Sequence, residues 1–222
     1  MTKKQNLFMN KNAILASLLL LSLASCKKEV KVKSETVVNT DTVAVQTDTA
    51  SETAMDSIAI QKAWEAYMTP SKAHEMLAKD NGTWNAELTF WMPDNPEPMK
   101  SSAVATYKMI MGGKYQEANY TGDMMGMPFE GKGTVAFDNA REEFISTWID
   151  NTGTGMMVSK GKYDEATKTL TFTGNMVDPV TKKEKQIKEI LTHIDDNTQK
   201  MEMFDIDNGK AFKSMEILLK RK

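Results

Sequence analysis

Cysteine is almost missing from this chain: Cys26 is the only one among 222 residues, and histidine occurs twice, as His74 and His193. A single thiol rules out an intramolecular disulfide and any Cys-based zinc site. Long apolar runs are missing too. The longest, "AILASLLLLSLA" at residues 13–24, falls short of the roughly 20 residues that a membrane-spanning helix needs. Basic residues gather only in short runs, "KKEVKVK" and "LLKRK" among them, too little to neutralise a run of phosphates, so nucleic acid is not expected as a partner. There is no G-x-S-x-G elbow, Gly-rich phosphate loop or H-E-x-x-H motif, so no ready-made catalytic centre or resident cofactor is read.

What is present starts with an address. Lys3, Lys4 and Lys11 precede the apolar run, and the run ends in "LASC". That arrangement reads as a secretory leader over 1–25, closed by a lipobox whose Cys26 takes a lipid. Small residues before the cysteine give the peptidase access, and acylation then consumes the only thiol. Removing the three leader lysines leaves 25 basic against 30 acidic residues, a mature net charge of −5. Residues 27–56 hold no Gly, Pro or aromatic residue and no sustained period. They are read as a tether, with a span of roughly 30 Å if flexible. Lys27 rather than Asp follows the cysteine, which by the enteric sorting rule favours the outer membrane. The expectation is a lipid-anchored envelope protein whose membrane partner is reached through Cys26.

Residues 57–81 read as a helical cap. "DSIAIQKAWEAYM" sets Ile60, Trp64, Tyr67 and Met68 on one face behind Asp56 or Ser57 as N-cap. "TPSKAHEMLAKDNG" offers Thr69 as cap, Pro70 as first helical residue and Asn81-Gly82 as exit. From residue 82 to 222 the pattern turns to short alternating runs. Trp84, Ala86, Leu88 and Phe90 share one parity, Asn85, Glu87 and Thr89 the other. Ten strands are predicted, near 83–92, 101–111, 114–121, 129–137, 142–149, 156–163, 168–175, 186–194, 200–206 and 211–220. With one apolar face each, they are expected to close into an all-β, antiparallel up-and-down barrel, with the two helices capping one end.

A meander sorts its connections onto two ends. "GGK", "DNA", "DEATK" and "DDNTQ" are short. "PDNPEPMKSS", "GDMMGMP", "DNTGTG", "MVDPVTKKEK" and "DIDNGK" are mostly longer and carry methionine around them. Met124, Met125, Met127, Phe129, Met156 and Met157 are therefore the candidate mouth of a ligand site. Three chemistries fit clustered thioethers: a copper(I) site, core gap-filling, or a pliable apolar rim. The rim is the reading adopted; without cysteine or a nearby imidazole the metal has few ligands.

At the other end "GTW" places Trp84 where the first strand begins, with Arg221 closing the last strand. This is similar to the lipocalin-like (calycin) arrangement, in which a G-x-W tryptophan lies under a basic residue of the final strand, a cation–π contact. The succession "HEMLAKDNGTWNAE", "GDMMGMPFEGKG", "STWIDNTGTGM", "YDEATKTLTFTG" and "MEMFD" resembles the bacterial domain of unknown function 1579 family. That resemblance implies a lipocalin-like barrel and no particular activity. Haem-binding relatives of such barrels use an inward histidine, a role open to His193 beside the plainer one of a satisfied strand residue. His74 reads as a helix-face residue. The expected function is uptake of a small apolar or amphiphilic ligand at the Met-lined mouth. The alternatives are a hydrolase or isomerase using Asp123, Glu130 or Asp150, and a solid structural module.

Overall fold

The computed structural model of the chain describes residues 56–222. The leader, Cys26 and the tether up to residue 55 lie outside the described residues. Two helices, α1 (Ser57–Met68) and α2 (Lys72–Ala78), precede ten strands. These are β1 (Gly82–Met92), β2 (Asn95–Ile110), β3 (Tyr115–Met124), β4 (Met127–Asp138) and β5 (Glu143–Asp150), then β6 (Met157–Asp164), β7 (Thr169–Val177), β8 (Glu184–Asp195), β9 (Thr198–Asp207) and β10 (Lys210–Arg221). Each strand pairs antiparallel with the next, and β1 closes on β10. The sheet is the expected all-β up-and-down barrel.

Alternation explains the closure. Trp84, Ala86 and Leu88 are buried while Asn85 and Glu87 are exposed. Across the seam they meet Arg221, Leu219 and Ile217 in register, so the apolar face is continuous around the ring. Large and small side chains also alternate between strands. Ala105 pairs with Trp84 on one side and Tyr120 on the other, and Ala118 pairs with Tyr107. That interleaving lets rings from adjacent strands fill one layer without collision.

The core has two parts. One runs along β1–β4 and β10 around Trp84, Leu88, Tyr120, Phe129, Ile217 and Leu219. The other lies where Leu77 of α2 meets Phe144, Leu170 and Phe172. Helix α2 is thus the plug of one barrel end. It starts at Ser71 rather than Thr69, because His74 Nδ1 accepts the Ser71 backbone N–H at 2.9 Å and closes its first turn. Thr69 instead ends α1, its hydroxyl donating to the Glu65 carbonyl at 2.6 Å. Of the two helices only α2 covers the barrel. Helix α1 buries no residue, and Ile60 and Trp64 stay 42% and 59% exposed. Its exit is held by Asn139 Nδ2, which donates to the carbonyls of Ala66, Tyr67 and Thr69.

The far end is tighter than its sequence suggests. Met92 pairs with Asn95, Met124 with Met127 and Asp207 with Lys210, so three of the five expected loops are two-residue turns. In "DMMGMP" the turn is Met125-Gly126, at φ 56° and 81°. Two successive left-handed residues match the right-handed twist of a hairpin, and glycine supplies the second at no steric cost. "NPEPMKSS" is not loop at all. It is the start of β2: Asn95 and Met99 onward pair with β1, residues 96–98 fall at a register shift, and pairing with β3 begins only at Ser102. Pro96 and Pro98 are tolerated there because an edge has no second ladder to supply.

Candidate functional site

The plugged end is a polar floor. Trp84 has no exposed surface, its Nε1–H donates to the Asp80 carbonyl at 2.8 Å, and the Arg221 guanidinium lies 4.1 Å over its ring. Arg221 also donates to the carbonyls of Lys79, Asn81 and Asp196. One side chain therefore ties the exit of α2 and the β8–β9 turn to the end of β10. The buried Asp80 carboxylate accepts from Gln116 Nε2 and Gln199 Nε2. His193 sits beside it, Nε2 3.3 Å from Oδ1, yet neither ring nitrogen makes a hydrogen bond. Tyr163 meets the same imidazole edge-on. His193 is thus placed on the floor, among polar groups that fill that end. His74 belongs to the α2 cap; burial, and then the charge of Lys114, lower its pKa and keep it a neutral acceptor.

Above the floor, register fixes which side chains share the lumen face. Tyr107 and Tyr120 join hydroxyl to hydroxyl; burial pushes the Tyr120 phenol up to about 12 and Tyr107 upward as well. Trp148 stands on the lumen side of β5, paired with Gly133 and Met157. A Cβ on Gly131 would overlap the Trp148 ring, and one on Gly161 would overlap Phe172. Glycine at both positions leaves room for the ring on the neighbouring strand. Phe90, Trp148, Met201, Met203 and Met215 remain partly exposed although they face inward. The half of the barrel away from α2 therefore offers apolar side chains to whatever enters.

The expected mouth residues divide. Met124 packs on the core cluster and Phe129 is a core residue, 6% exposed. Met157 is half-buried beside Trp148. Met127 shares the lumen parity of Phe129 but stands at the rim, and Met125 and Met156 are turn and loop residues; all three are well exposed. The reason is the Met125-Gly126 turn, which points Met125 away from the strand face. Lumen methionines that the loop argument passed over are Met201, Met203 and Met215, all in phase with inward neighbours, and Met176 of β7 shares the same face.

The carboxylates at that end do not form a pair. Asp123 Oδ1 is engaged by Gly126 N in its own turn. Asp150 faces the lumen but accepts from Trp148 Nε1 and from both the N–H and hydroxyl of Thr152. Desolvation raises its pKa, and those bonds more than offset it, leaving the carboxyl lowered. A general acid needs the opposite shift. Glu130 lies on the outer parity of β4, in a shallow cleft of about 410 Å³ with Asn119, Lys132 and Ile149. A second cleft, about 370 Å³, runs between the α1–α2 junction and the barrel wall at Tyr115, Phe137 and Asn139. Among the described residues no group of three or more His, Cys, Asp or Glu side chains is arranged to hold a metal ion.

One lumen residue escaped the sequence reading. Glu189 of β8 is 9% exposed, between Phe172 of β7 and Met203 of β9. Its signal was in "QIKEIL": the glutamate falls in phase with Ile187 and Leu191, on the apolar parity.

Residues 69–221 match the sequence profile of a family described as a protein of unknown function, DUF1579. The chain belongs to that family. No curated protein matches it. Among solved structures, Rv2717c from M. tuberculosis aligns with a TM-score of 0.50 and 12% identity, over 69% of this chain and 99% of that one. At that identity the likeness is one of fold. A redesigned beta barrel aligns at a TM-score of 0.36 and 12% identity, over 66% of this chain and 94% of its own, too distant to carry weight.

Proposed function

We propose that this DUF1579 protein is a lipid-anchored envelope protein whose barrel takes up a small apolar or amphiphilic molecule through the end opposite α2. One observation carries the reading. The floor is plugged, yet inward-facing Phe90, Trp148, Met201, Met203 and Met215 keep exposed surface. A solid module would bury them. Methionine suits such a wall, because its unbranched thioether repacks around different shapes at low cost.

The test uses three methionines of the lumen parity near that end. Met124, Met157 and Met176 changed together to Ser should leave the protein folded and weaken a neutral naphthylamine probe at least about tenfold, only 1.4 kcal/mol. Full burial of one such side chain is worth about 1.5–3 kcal/mol, and partial contact less. Met125→Ser, in the turn, should leave affinity unchanged. Equal affinity in the triple variant and the parent would sink the reading.

Anchoring rests on "LASC" and the single thiol. Cys26→Ser should move the protein from the membrane fraction to the soluble one and abolish labelling by palmitate. Label retained by that variant would refute the lipobox.

A further inference from the structure

Glu189 has an unusual position for an acid. It sits midway along β8, flanked on its own face by Ile187 and Leu191 and across the ladders by Phe172 and Met203. Its one hydrogen bond is long: Ser159 Oγ donates to Oε2 at 3.4 Å. Oε1 receives none from the described residues. No cation compensates. Lys185, the lysine in phase with it on the same strand, is held by Asp205 at 2.6 Å. The other ionisable groups on the lumen face are engaged elsewhere: Asp80 in the floor with Gln116 and Gln199, Arg221 over Trp84 and on three carbonyls, Tyr163 against His193, Asp205 on Lys185, Asp150 bound by Trp148, and the Tyr107–Tyr120 pair. His193 completes the set, at the floor against Asp80.

A buried carboxylate is stable only when paired or protonated. Burial pushes this carboxyl up to about 7, against the small opposing effect of Ser159. A cation brought beside it would restore the ionised form and supply the missing donors. An anionic head group would meet only negative or neutral partners there.

We propose that Glu189 is the polar contact of the lumen ligand and that this ligand is a cationic amphiphile. A compact ammonium head donates to the two carboxylate oxygens, and the apolar tail runs past Met203, Trp148 and Met215 towards the mouth. The assignment rests on the reading that the lumen binds a small molecule, and it adds the charge of the head group.

Three probes of equal tail length separate the two readings: dodecylammonium, dodecanol and dodecanoate, titrated below micelle formation into the full chain at pH 8 and followed by calorimetry. The expected result is dodecylammonium at least tenfold tighter than dodecanol, with dodecanoate weakest. Glu189→Gln should abolish that preference, bringing dodecylammonium to the affinity of dodecanol. Ser159→Ala, which keeps the carboxylate, should retain the preference. The proposal falls, with lumen binding intact, under any of three outcomes: dodecanol binds as tightly as the amine, dodecanoate binds best, or Glu189→Gln keeps the preference. If none of the three binds, lumen uptake itself is wrong and the proposal goes with it.

Discussion

Trp84→Ala should unfold at much lower denaturant than the parent, with a loss of about 3–5 kcal/mol, the range for removing a buried large aromatic. The residue has no exposed surface and packs edge-on to Tyr107, ring centroids 6.4 Å apart. Truncation removes more than ring area. It orphans the Asp80 carbonyl, a buried acceptor that costs about 1–3 kcal/mol when left unpaired. It also removes the face on which Arg221 rests. Trp84→Phe separates these contributions, since it keeps a ring and loses only the N–H donor and some area; it should lie between the two. Urea unfolding followed by far-ultraviolet circular dichroism is the measurement. A Trp84→Ala midpoint matching the parent would mean the floor contributes little, and that α2, not the indole, closes the barrel.

The barrel was legible because the sequence carries its period openly. Ten alternating runs have only one way to bury one face each and leave no edge, and β1 needed nothing but the Trp84–Ala86–Leu88 parity to be placed. The ends were less legible. Pro, Asn and Ser in "PDNPEPMKSS" read as loop because those residues usually break strands; here the first half of β2 is an edge, so proline costs no hydrogen bond. "DMMGMP" misled in a similar way. Methionine seldom takes a positive φ, so nothing in the residue types announced that Met125 occupies the first turn position, beside Gly126. Helix α1 shows a third kind of failure. Its apolar stripe predicts a partner surface, but a stripe does not say which one, and the barrel end is already filled by Leu77, Phe144 and Leu170. The lumen was half-legible. Phe129 and Met157 carry the right parity, but exposure depends on the glycines under Trp148 and Phe172, which act from neighbouring strands. No local pattern reports on that.

Glu189 gives the last and most quantitative expectation, a change of stability with pH that one substitution should erase. Its carboxyl is raised in the folded protein from 4.5 to about 7, mainly by desolvation, with Ser159 opposing. Below pH 4.5 the group is protonated in both folded and unfolded chains and the burial is cheap. As pH climbs through the window from 4.5 to about 7, the unfolded chain ionises freely while the folded one resists. The unfolded state binds fewer protons there, so stability falls with rising pH. A shift of this size corresponds to about 3 kcal/mol at 1.36 kcal/mol per unit. Above about pH 7 the loss is complete and the curve flattens. Asp138, Asp150, Asp178 and Glu202 are shifted the other way, so their stability is lost as pH falls. They act equally in parent and variant and cancel in the difference. Glu189→Gln keeps the shape and removes the charge. Relative to its own difference from the parent at pH 4, it should therefore gain stability steadily between pH 4.5 and 7, by about 3 kcal/mol in all, and keep that gain at pH 8. Urea midpoints of the two proteins, taken at intervals from pH 4 to 8, measure this directly. A constant difference across that range would show that the carboxylate is already satisfied when ionised. The lumen would then hold a donor for Glu189 within the protein itself, and no cationic ligand would be needed to supply one.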